Sequence, residues 1–144
     1  MKLDNVKQSI GFGIIISLIL LSLCACSKKL SFTTSTVVPA ARGYVKIKKD
    51  KNENYAIDIN IVDLAEVERL QGNNKTYVVW MTSNGENPKN IGQINSDSKR
   101  FSNKLRASLH SVSTLKPSSV FITAEQDGNV QYPGNTIVLS TEEI

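Results

Sequence analysis

The run Thr76-Tyr77-Val78-Val79-Trp80-Met81-Thr82 is apolar on both faces and holds the only tryptophan of the chain. A strand with one wet face alternates; a run that does not alternate must be covered above and below. The stretch therefore predicts a central strand, with the other segments laid against it.

Those segments alternate. In 44–48, Val45 and Ile47 point one way and the lysines the other. In 55–62, Tyr55, Ile57, Ile59 and Ile61 share a face, and Ala56, Asp58 and Asn60 the opposite one. The polar stretch 49–54 between them predicts a hairpin with one buried face. Asp63-Leu64-Ala65-Glu66 has capping-box spacing, and Gly72-Asn73-Asn74 limits the segment between them to about one helical turn. Asn84-Gly85 predicts a turn. In 90–94, a glycine inside a short strand points to a bulge or a close backbone approach. The stretch 101–112 fits both periods, and the serines and the threonine from Ser102 to Thr114 favour strand. The stretches 120–125 and 136–139 read as strands, joined by the long connection 126–135. About seven short strands with turns between them predict an all-β fold. The expected form is an antiparallel β-sandwich, immunoglobulin-like in size, with a small β-barrel as the alternative.

The first 25 residues follow another logic. Lys2 and Lys7 precede an apolar core, Ile10 to Leu23, and then Leu23-Cys24-Ala25-Cys26. A basic start, an apolar middle and a small residue before the cut read as an export signal over 1–25. The core is shorter than the ~20 residues of a spanning helix. Leu23-Cys24-Ala25-Cys26 resembles the lipobox of bacterial lipoproteins, with leucine three before the cysteine and alanine just before it. The resemblance implies that Cys26 is lipidated on sulfur, becomes the new N-terminus and is acylated on its amine. Cys24 fits worse, because Leu23 before it is too large. Several acyl chains on one residue give stable anchoring. Ser27, rather than an aspartate, comes next; by the usual sorting rule this favours the outer membrane, facing the periplasm, in a cell with two membranes.

From Cys26 onward the chain holds 15 Lys+Arg against 12 Asp+Glu, too small an excess to suggest a nucleic-acid partner. Cys26 is then the only cysteine, so the domain is expected to fold on its core alone, without a disulfide. The length suffices for one domain. Residues 26–42 read as the lipidated cysteine and a Ser/Thr-rich flexible tether, whose Lys28 and Lys29 are expected at the lipid surface near anionic headgroups, with an edge strand over 32–38 as the alternative. Residues 43–144 read as the sandwich.

The order of motifs is specific in combination: Tyr77-x-x-Trp80, Gly85-x-x-Pro88, Ile91-Gly92, Val120-x-Ile122-Thr123-x-Glu125 and Tyr132-Pro133-Gly134 before an apolar strand. Over 43–139 this resembles the extracytoplasmic C-terminal domain of the anti-sigma-K factor family. Members of that family place the domain after a membrane helix and a cytoplasmic segment that grips a sigma factor. Neither is expected here, so the resemblance implies an extracytoplasmic sensing or interaction module and does not extend to anti-sigma activity.

Catalytic chemistry finds few candidates. His110 is the only histidine, with serines at 108 and 111. A hydrolase built on it would need a base partner and a nucleophile elbow that the sequence does not display. A surface position is the simpler expectation. Asp50, Asn52 and Asn54 have the first spacings of a calcium loop, but Tyr55 stands at the glycine position and Ile61 at the bidentate-glutamate position. A polar turn is expected instead. No cofactor, metal or catalytic residue is expected. Lys46 and Lys48, with Lys49 and Lys51, form a basic run that reads as a solvated edge or as a contact for anionic lipid or cell-wall polymer. Tyr132, beside Pro133-Gly134, is the candidate exposed aromatic contact. The expected function is a non-enzymatic, lipid-anchored cell-envelope protein whose β-sandwich binds, senses or spaces. A sensor partner of a transmembrane signalling protein and a His110 hydrolase are the alternatives. The expected partners are the membrane, through lipid on Cys26, and an envelope protein or wall polymer.

Overall fold

A computed structural model describes residues 27–94, 97–98 and 105–144. The expected signal, Cys26 and the start of the stretch 101–112 lie outside the described residues. The described strands are β1 (Ser27–Ser31), β2 (Arg42–Lys49), β3 (Tyr55–Val62), β4 (Thr76–Thr82), β5 (Lys89–Ile94), β6 (Asp97–Ser98), β7 (Leu105–Ser113), β8 (Ser119–Glu125) and β9 (Ile137–Ser140). They form two antiparallel sheets, ordered β1-β2-β3-β7-β6 and β5-β4-β8-β9. The sheets stack as a sandwich and are not closed into a barrel.

The core is the meeting of the two inner faces. Ile57, Ile59 and Ile61 of β3 and Val45 and Ile47 of β2 pack toward Tyr77, Val79 and Met81 of β4 and Ile122 of β8. Ile57, Ile59 and Ile61 are at most 1 % exposed. Burying each stabilises by roughly 1.5–3 kcal/mol. The 2-residue period of β3 is thus the direct imprint of one dry and one wet face.

β4 is an inner strand, and six of its seven residues are buried. Tyr77, Val79 and Met81 face the sandwich core. Val78 and Trp80 face the other way, outside the sandwich, yet neither is exposed. The connection 126–136 accounts for this. Asn90, opposite Trp80 on β5, donates through Nδ2 to the Gly128 carbonyl at 2.9 Å and the Val130 carbonyl at 3.2 Å. Glu125 Oε1 accepts from the Gly134 N–H at 2.7 Å. These bonds hold the connection across the outer face as a lid over Val78 and Trp80.

The glycine of β5 does both things expected of it. The β4–β5 register shifts between Val79 and Trp80, a bulge. Gly92 lies at φ +147°, and a Cβ there would sit 2.9 Å from Leu109 Cδ1 on the facing sheet. No larger residue fits that close approach without displacing Leu109.

Three expectations are corrected. The stretch expected as a flexible tether begins with a strand: β1 pairs with β2 along its whole length, from Ser27↔Lys48 to Ser31↔Tyr44. Leu30 and Phe32 pack against the core, Val38 and Ala41 are buried within it, and Phe32 bridges to Thr141 beside the other sheet. Apolar side chains spaced through a Ser/Thr-rich stretch find surface to cover, which a free tether would leave wet. It follows that Lys46 and Lys48 do not guard a sheet edge, because β1 lies outside them. Finally, the capping box is not used. Asp63 ends β3 at φ 59°, and the single turn, a 3-10 turn at Val67–Arg69, starts later with Glu66 at its N-cap and no side-chain cap bond. Leu64 and Val67 are buried and cover the end of the sandwich as the spacing implied.

Candidate functional site

The two outer faces differ in kind. That of the four-stranded sheet is roofed by the lid; that of the five-stranded sheet is open. Register places Lys29, Lys46, Asp58 and His110 in one row across the open face, from β1 to β7. The next row toward the start of β1 is Ser27, Lys48, Ala56 and Val112. Lys29, Lys46, Lys48 and His110 are exposed, and Val112 is 57 % exposed. Arg42 and Arg106 stand at the far end of the same face, both exposed and both opposite Val62.

Electrostatics on this face is dominated by lysine. Lys29 Nζ lies 3.8 Å from the centre of the Tyr44 ring, a cation–π contact. Lys29 and Lys46 are direct cross-strand partners, a like-charge pair that costs stability on a bare sheet. His110 Nδ1 meets Asp58 Oδ1 at 2.6 Å, with the His110 side chain largely exposed and that of Asp58 partly so. This pair sits on an open sheet surface and not in a cleft, so it lacks the walls that would exclude water from a reaction. At the nearby turn, Lys49 Nζ and Glu53 Oε1 are 2.9 Å apart. Their hydrogen bond raises the Lys49 pKa and lowers that of Glu53.

The candidate calcium loop is a self-contained turn. Asp50 Oδ1 accepts the N–H groups of Asn52 and Asn54, each at 2.8 Å, and Glu53 sits at φ 67°. The carboxylate is occupied by its own backbone, an Asx turn. Among the described residues, no group of three or more His, Cys, Asp or Glu could hold a metal ion.

The roofed face carries a polar relay that the sequence did not reveal. Trp80 Nε1–H donates to Thr123 Oγ1 at 2.8 Å, and Thr123 Oγ1 donates to Glu125 Oε1 at 2.5 Å. Glu125 Oε1 also accepts from Gly134. Thr123 and Glu125 are both buried. The Phe121 ring stacks near Trp80, with centroids 6.3 Å apart. Each of the buried polar groups of Trp80, Thr123 and Glu125 thus finds a partner, on β8 or in the lid. Spacing offered one signal for the relay: Thr123 and Glu125, two apart on β8, share a face with Trp80. Tyr132 rises from the lid, 73 % exposed. Beside the lid, a shallow groove of about 630 Å³ is lined by Lys89, Asn90, Gln93, Asn129 and Gln131 among others. A smaller hollow of about 200 Å³ lies between Asn84, Glu86, Lys116 and Ile144 at the β4–β5 turn.

The structure brings Lys46 and Lys48 together on the open face and adds Lys29 to them. It places Tyr132 on the lid of the other sheet, apart from those lysines. Cys26 lies outside the described residues, but its neighbour Ser27 is the first residue of β1. Comparison of the chain with protein-family models, with curated proteins and with solved structures finds no match.

Proposed function

We propose that this chain is a lipid-anchored protein of the cell envelope, whose β-sandwich acts outside the cytoplasm as a binding, sensing or spacing module. One observation carries the reading: the lipobox-like Leu23-Cys24-Ala25-Cys26 runs directly into a folded all-β domain. Strand order supports an immunoglobulin-like assignment for the domain. From β2 onward, β2-β3-β7-β6 against β5-β4-β8-β9 corresponds to strands A-B-E-D against C′-C-F-G. The likeness to the extracytoplasmic domain of anti-sigma-K factors is compatible with that arrangement and rests on motif order alone.

A non-enzymatic role is supported by how the polar groups are used. The Asp50 carboxylate serves a turn, Glu125 serves the lid, and the His110–Asp58 pair lies on an open face. Metabolic labelling with palmitate tests the anchor. Wild-type protein is expected to take up label and Cys26→Ala to take up none; equal labelling of the two would end the proposal.

A further inference from the structure

We infer that the open face of the five-stranded sheet is a second membrane contact, which binds anionic phospholipid headgroups through Lys29, Lys46 and Lys48. The inference rests on the lipid-anchor reading and goes beyond it: it says how the domain lies on the bilayer.

A tether of about fifteen flexible residues would carry the domain roughly 20 Å from the headgroups. No such tether intervenes, because Ser27, the residue after Cys26, is already paired with Lys48. Neighbouring strands are about 4.8 Å apart, and residues two apart along a strand are separated by about 7 Å. Lys48 therefore lies one strand away from Ser27, Lys29 two residues along, and Lys46 one strand beyond Lys29. All three begin within about 10 Å of Ser27, close to the screening length of about 8 Å at physiological salt. Their side chains share the outward face and are exposed.

Charge complementarity selects the occupant. Around Ser27 the open face offers Lys29, Lys46 and Lys48, while the carboxylate in the same row, Asp58, is engaged by His110. The cross-strand pairing of Lys29 with Lys46 is unfavourable in water alone. A negatively charged surface relieves that repulsion, and each lysine held near such a surface adds to the attraction. Val112, exposed in the row of Ser27 and Lys48, supplies an apolar contact at the same end. By contrast, the outer face of the other sheet is closed by its lid, which leaves Tyr132 directed away from this surface. The acyl chains supply the affinity, and the lysines set the orientation.

The test uses the full acylated protein reconstituted on two kinds of vesicle, one of phosphatidylcholine alone and one that also contains phosphatidylglycerol. Exposed amines are labelled with a water-soluble acylating reagent and read residue by residue by mass spectrometry. Lys29, Lys46 and Lys48 are expected to label about fivefold or more slowly on the anionic vesicles, in line with the attraction of each lysine to the surface. High salt should abolish the difference, and Lys75 and Lys89, associated with the other sheet, should label alike on both. Equal rates for the three lysines on both vesicles, with the protein still bound in high salt, would overturn the headgroup contact and leave the anchor intact. Protection that is the same on both lipids and survives salt would also overturn it, because something other than headgroup charge would then cover the face. Release of the protein by salt alone would instead overturn the anchor reading.

Discussion

Trp80 shows how one side chain can hold a surface that lies outside the main core. It has no exposed area, although it points away from the sandwich. Its ring lies beside Phe121, and its indole N–H is satisfied by Thr123. Trp80→Ala would lose this burial and leave a cavity beneath the lid. The expected cost is about 3–5 kcal/mol in chemical denaturation; a loss below about 1 kcal/mol would show that the lid does not bury Trp80. Tyr77, on the opposite face of the same strand, gives a pH signature. Burial, and secondarily the charge of Glu68, pushes its phenol from an ordinary value near 10 up to about 12. The unfolded chain therefore loses this proton first as pH rises. The stability that depends on the neutral phenol is complete below pH 10 and falls as pH climbs toward about 12. Tyr77→Phe should flatten that part of the alkaline limb in pH-dependent unfolding, while losing the hydrogen bond from Tyr77 Oη–H to the Ala65 carbonyl. An unchanged alkaline slope would contradict the assignment.

At the scale of elements, the lid depends on a few bonds far apart in sequence. Asn90 reaches across to Gly128 and Val130, and Gly128 packs where a Cβ would collide with the Gln93 side chain. Asn90→Ala is expected to speed hydrogen exchange across 126–136 and to shift the Trp80 emission to the red, with β2 and β3 unaffected. Exchange in the lid at the wild-type rate would mean that Asn90 does not fasten it. This element also marks the limit of what the sequence discloses. β3 is legible because one wet and one dry face impose a period on consecutive residues. β4 is legible because the absence of a period, joined to β-branched and aromatic residues, requires cover on both sides. The material of that cover is not, because an irregular lid has no period and its bonds join residues tens of positions apart. β1 is hidden for a related reason. Two serines and two lysines among five residues resemble a linker, and only Leu30 turns inward to show that they are a strand. Among the candidate contacts, Lys46 and Lys48 stand out as alternating charges and Lys29 as a lysine beside the expected anchor, whereas their alignment in neighbouring rows of one face comes only from the register of β1 with β2.

For the whole molecule, the asymmetry between its outer faces is the organising fact. One is open and basic, and it starts at the residue after Cys26. The other is roofed, internally hydrogen-bonded, and carries Tyr132 at its surface. On the proposed lipid anchor, the first side would face the bilayer and the second the compartment beyond it. That division depends on where the mature chain begins. If processing occurred elsewhere, β1 would continue into residues other than a lipid anchor, and the open face would lose its link to the membrane. Intact mass spectrometry of the protein taken from cell membranes is the most direct test. The expected species is a chain that starts at Cys26 and carries the added mass of acyl groups on that residue. A chain that retains residues 1–25, or that starts at Cys26 without acyl groups, would contradict the lipid-anchored assignment.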